Sequence, residues 1–116
     1  MEKILKASTD SATFEAWQPD GVVISRGQPD GHGFTLFEQL SAPRFGTGFF
    51  TCQPSKTSYT LTDNEIIYVL EGSATLTLES QESVLITAGD LVFLPKGNKS
   101  TWEFHEPFRE VWVLVE

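Results

Sequence analysis

Cysteine is nearly missing from this chain. Cys52 stands alone, so no disulfide framework holds the fold, and a reducing, cytoplasmic setting is the expectation. Histidine is scarce too: His32 and His105 are the 2 copies, little material for a metal centre built on imidazole. Basic residues number 8 against 16 acidic ones, a formal net charge of −8. That balance repels phosphate backbones and anionic lipid, and excludes nucleic acid and membrane surfaces as expected partners. No apolar run approaches the roughly 20 residues of a membrane span, and residues 1–10 do not have the form of a signal peptide. What the chain does have is ordinary globular material, with 40% hydrophobic and 21% charged residues over 116 positions. That is enough for one domain that buries roughly two thirds of its unfolded surface.

Short apolar stretches alternate with turn signals along the whole length. Candidate strands are 22–24, 34–40, 45–52, 65–70, 73–79, 83–87, 91–94, 100–105 and 110–115. The alternation is cleanest after Gly72, where Ala74, Leu76 and Leu78 take one side and Ser73, Thr75, Thr77 and Glu79 the other. Between the strands lie Gly27-Gln28-Pro29-Asp30-Gly31, Glu71-Gly72, Ala88-Gly89-Asp90, Pro95-Lys96-Gly97-Asn98 and Glu106-Pro107, all turn chemistry. Many short strands at even spacing predict an all-β sandwich or barrel. Helix is expected at one place alone, residues 8–17. Residues 1–13 read as an N-terminal arm and residues 14–116 as the single domain.

Two segments carry more than pattern. Glu65-Ile66-Ile67-Tyr68-Val69-Leu70-Glu71-Gly72 is a strand running into a tight turn, and Gly89-Asp90-Leu91-Val92-Phe93-Leu94-Pro95-Lys96-Gly97 is a turn, an apolar strand and a Pro-x-Gly turn. Together they resemble the two motifs of the cupin superfamily. The tail, with Trp102-Glu103, Glu106-Pro107 and Arg109, is similar to the short cupins grouped with the cupin domain of (S)-ureidoglycine aminohydrolase. Trp17-Gln18-Pro19-Asp20-Gly21 and Gly27-Gln28-Pro29 also fit that group. The resemblance implies a double-stranded β-helix, the jelly-roll barrel of the RmlC-like type, whose mouth is the natural cleft. It also implies chemistry on small nitrogenous metabolites.

In the metal-binding cupins the first motif supplies His-x-His ahead of the Glu, and the second supplies a His after Pro-x-Gly. Here the first two positions fall on Ser58 and Thr60, or on Tyr59 and Leu61, and the third falls on Ser100. Glu65 alone of the set survives, and one carboxylate does not hold a transition metal. His105 lies five residues past Ser100 and points to the opposite face of a regular strand, while His32 sits in a Gly-flanked loop. No metal and no other cofactor is expected.

Glu65 shares a strand face with Ile67 and Val69, so it points into the core and needs a partner. It is either a general base or hydrogen-bond acceptor for a ligand, or a structural carboxylate paired with Lys56, Lys96 or Arg109. Asp63 reads as a turn residue capping its own backbone. Cys52 has no base positioned beside it and reads as a buried, unreactive thiol. Phe50, Tyr59, Trp102, Phe104 and Trp112 are divided between pocket wall and core packing, with Trp102 and Ser100 on the inward face. Arg109 matches the family's arginine, while Glu110 stands where the family has lysine and reverses the charge. Glu79, Glu82, Glu103 and Glu106 read as a solvated face.

The expected ligand contacts are therefore Glu65, Trp102, Tyr59, Phe50, Ser100 and Arg109, with Glu65 the best catalytic candidate. Three functions stay open: a metal-free module binding a small polar metabolite, a ureidoglycine aminohydrolase-like enzyme, and a structural or regulatory dimer. A homodimer is expected in each, because Ile4 and Leu5 of the arm have no evident partner within the chain.

Overall fold

The computed structural model describes residues 3–79 and 82–116. Its strands are β1 (Glu15–Ala16), β2 (Val23–Gly27), β3 (His32–Gln39), β4 (Phe45–Cys52), β5 (Ser55–Thr60), β6 (Asn64–Glu71), β7 (Ser73–Leu78), β8 (Ser83–Thr87), β9 (Leu91–Leu94), β10 (Lys99–Phe104) and β11 (Phe108–Val115). They form one sheet in the order β1-β3-β4-β11-β6-β9 and a second in the order β2-β5-β10-β7-β8. Neighbours are antiparallel throughout. This is a jelly-roll cupin barrel. Among the described residues no helix is long and apolar enough to cross a membrane.

Strict alternation decides which side chains fill the barrel. On β6 the inward residues are Glu65, Ile67 and Val69; on β10 they are Ser100, Trp102 and Phe104. On β4 the inward set is Gly46, Gly48, Phe50 and Cys52. Gly48 is required by close approach: a Cβ there would run into the Phe34 carbonyl and lie 2.7 Å from the Trp112 ring. The chain of β3 bulges toward it where the register shifts between Thr35 and Phe37. At Gly72 the backbone takes φ +87°, and a Cβ would strike the Pro107 carbonyl.

The helix expected over residues 8–17 is not formed. One turn closes where Ser8 O accepts from Ser11 N and Ala12 N, and the chain then extends into β1, pairing Glu15 with Gly33. Ser8, Thr9, Asp10, Ser11 and Thr13 are poor helix formers whose side chains bond locally, as Ser8 Oγ does to Asp10 N. The open edge of β3 offers the better partner. Phe14 is seated on Phe34 and Phe49, with centroids 6.5 and 6.1 Å away, which fixes the arm on the outside of the barrel.

β5 was not expected as a strand. Its sequence, Ser-Lys-Thr-Ser-Tyr-Thr, carries no apolar alternation. It forms because β10 on one side and β2 on the other need its backbone, and Thr and Tyr suit a pleated surface.

Candidate functional site

A cavity of about 720 Å³ opens between the sheets, within the usual range for a small-molecule site. β5 contributes Thr57 and Tyr59, β6 Glu65, β10 Trp102 and Phe104, β4 Phe50, and β11 Glu110, Trp112 and Leu114. Trp17 beyond β1 closes one side and meets Phe50 edge-on at 5.7 Å.

Glu65 is 7% exposed. Its partner is the Tyr59 hydroxyl, which donates toward both carboxylate oxygens at 3.2 Å. Burial lifts the Glu65 carboxyl to a pKa of about 7; the Tyr59 bond opposes this and the Asp63 charge adds to it. The cations expected as partners do not reach it. Alternation turns Lys56 outward between buried Ser55 and Thr57, and Lys96 lies exposed past the end of β9. Near neutral pH Glu65 is therefore present as both acid and base, a state suited to exchanging a hydrogen bond or a proton with a ligand.

The aromatic wall is stacked in series. Tyr59 lies 6.1 Å from Trp102 at 11°, and Trp102 lies 5.7 Å from Phe104 at 19°. Ser100 orients this wall without lining it: its hydroxyl donates to Tyr59 O at 2.9 Å and accepts from Trp102 Nε1 at 3.0 Å. Trp112 Nε1 donates to Phe49 O at 3.1 Å, which holds the second indole.

Arg109, expected among the ligand contacts, points the other way. Its guanidinium is 3.7 Å from Glu71, donates to Thr9 O at 3.2 Å and lies over the Phe14 ring. It pins the arm. Its neighbour Glu110 faces the cavity instead, 3% exposed, with Oε1 lacking any hydrogen-bond partner among the described residues. Burial, and then the Glu65 charge, push its carboxyl well above the ordinary range. The sequence marks Glu110 as a reversal of the family's lysine charge but does not place it among the ligand contacts; its alternation with Trp112 and Leu114 is the signal that it points inward. Arg44 and Asp63, bonded to each other, stand at the mouth, so the Asp63 carboxylate is held by Arg44, just before β4, and by the Thr62 hydroxyl, and not by the backbone of its own turn as expected.

Cys52 is 1% exposed, and burial with the Glu110 charge raises its thiol far above the ordinary value; it is unreactive. The histidines lie elsewhere, His105 Nε2 2.8 Å from Thr75 Oγ1 and His32 Nδ1 2.9 Å from Asp30 O.

The cupin metal positions now resolve to Tyr59, Leu61 and Ser100, since Tyr59 and Leu61 are the ones turned inward. Leu61 has no donor atom, Tyr59 is engaged with Glu65, and Ser100 is engaged on both sides. Among the described residues no three His, Cys, Asp or Glu side chains converge as a metal site. The donor set does not fit a transition metal.

Comparison with known proteins places the fold in a family. Residues 41–112 match the EutQ-like cupin domain. The chain is 28% identical over 92 residues to the acetate kinase EutQ of Clostridioides difficile (strain 630), covering 78% of this chain and 58% of that protein. The structure of the Clostridium difficile EutQ protein superposes with a TM-score of 0.64 at 26% identity, over 78% of this chain and 64% of that one. A DUF861 family protein of Thermotoga maritima gives 0.55 at 33% identity, over 57% and 75%. The chain thus spans less than two thirds of the Clostridioides difficile EutQ protein, and it belongs to the EutQ-like cupin domain family.

Proposed function

We propose that this EutQ-like cupin binds a small, polar, N–H-bearing metabolite in the barrel mouth, without a tightly held transition metal. The observation that carries this reading is Glu65: a buried carboxyl beside aromatic rings, held by one phenol and, among the described residues, by no cation. The buried polar groups Glu65, Tyr59 and Glu110 stand among the Phe50, Trp102, Phe104 and Trp112 rings, the form of a ligand pocket. A screen of small metabolites by thermal shift tests it. Ligands that raise the parent's melting temperature by several degrees should leave Glu65→Gln unmoved, while Glu65→Gln itself stays folded. Equal shifts in both proteins would reduce Glu65 to a structural residue.

The second reading is an enzyme on small nitrogenous metabolites, as the ureidoglycine aminohydrolase resemblance implies. Its support is the presence of two carboxyls with raised pKa in one cavity, the usual equipment of an acid–base pair. The acetate kinase activity named for the Clostridioides relative is not carried over. A nucleotide's phosphates would enter a cavity lined by Glu15, Asp20, Glu38, Asp63, Glu65 and Glu110 against, among the described residues, Arg44 as the one cation. We also propose that two copies pair in a cytoplasmic homodimer, since Tyr68, Leu91 and Phe93 lie exposed on the outer face of β6 and β9.

A further inference from the structure

We infer that the ligand of this cavity is a small organic cation carrying N–H donors, and that Glu110 receives it. This rests on the ligand-pocket reading above and names the class of ligand. The primary observation is the Glu110 Oε1 atom, buried and without a partner among the described residues. Leaving such an acceptor empty costs free energy that a ligand donor recovers.

The surroundings select the charge of that donor. On β4 the neighbours of Glu110 are Phe50, directly opposite, and the protonated Cys52 thiol. On β6 it faces Val69 and, farther along the cavity, Glu65; across the barrel stand the Tyr59 phenol and the Trp102 ring. The charged groups nearer solvent are Glu15, Asp20, Glu38 and Asp63, with Arg44 already bonded to Asp63. No unpaired cation from the described residues lines the cavity. An anion would therefore meet carboxyl groups wherever it turned, and a neutral amide would fill the hydrogen bond without using the field. An ammonium satisfies both, and the Tyr59 and Trp102 faces add cation–π attraction.

Burial, and then the Glu65 charge, raise the hold of the Glu110 carboxyl on its proton, so a bound cation competes with that proton. Cation binding displaces that proton to solvent: the carboxylic acid and the free ammonium become a carboxylate–ammonium pair plus one released proton. Affinity then rises with pH, up to about tenfold per unit, until the amine itself loses its charge. Glu65, titrating near 7, adds in the same direction.

The test uses three probes of one size, n-propylammonium, propionamide and propionate, titrated calorimetrically into the parent in phosphate buffer at pH 6 and 8.5. The expected order is ammonium first, amide weaker, propionate without binding, with the ammonium at least tenfold tighter at pH 8.5 than at pH 6. Glu110→Gln, checked for folding by circular dichroism, should lose about tenfold in ammonium affinity at pH 8.5 and most of the pH dependence. Propionamide binding as tightly as the ammonium, and weakened by Glu65→Gln, would overturn the cation and leave the pocket reading standing. Ammonium binding unchanged in Glu110→Gln would overturn the role of Glu110. No heat from any probe would overturn both, leaving the Glu110 carboxyl a structural group.

Discussion

Glu65 and Glu110 keep their protons in the folded chain at pH values where an exposed glutamate has lost its own. Between the ordinary glutamate value of 4.5 and about 7, the unfolded chain releases the Glu65 proton while the folded chain retains it. The Glu65 contribution to folding stability is therefore fully present below pH 4.5 and is lost as pH rises through about 7, a change on the order of 3 kcal/mol. Glu110, raised by burial and then by the Glu65 charge, adds a loss in the same direction. The melting temperature should drop between pH 5 and 8, and the Glu65→Gln/Glu110→Gln double variant should flatten the curve. A parent whose stability rises over that interval would show that neither carboxyl is buried as described. Inward Glu65 was legible from its place between Ile67 and Val69. Its partner was not, because strand alternation says which face a residue takes and not which residue across the barrel meets it.

Among the elements, the apolar strands were legible and the polar one was not. β4, β6 and β10 announce themselves by period-two burial, whereas β5 hides behind Ser, Lys and Thr and is held by its neighbours. That strand brings Tyr59 to Glu65, so the site was half read for the same reason. β1 was misread as helix since two residues pairing with β3 carry too little pattern to outweigh a weak helical one. The packing between β3, β4 and β11 gives a direct check on this element-level account. Gly48→Ala should displace Trp112 from the cavity wall and cost about 1–3 kcal/mol in urea unfolding. An unchanged unfolding midpoint would mean that β3 does not approach β4 as closely as described.

At the scale of the molecule, closure of two sheets around the cavity leaves an apolar outer face near the β9 edge, with Tyr68 opposite Leu91 and exposed Phe93 beside them. Ile4 of the arm, 95% exposed, adds to the surface a second copy would cover. Light scattering should report about twice the chain mass of 12.9 kDa, and Phe93→Glu should return the monomer. A monomeric parent at high micromolar concentration would remove the dimer. A high-resolution crystal structure of protein purified without a His tag tests the metal-free ligand pocket of the barrel most directly. Non-metal density within hydrogen-bonding distance of Glu110, in the cavity that Glu65 also lines, is expected once an ammonium probe is soaked in, with no transition-metal anomalous peak. A transition-metal peak coordinated by Glu65, or a protein cation paired with Glu65 across a filled cavity, would contradict it.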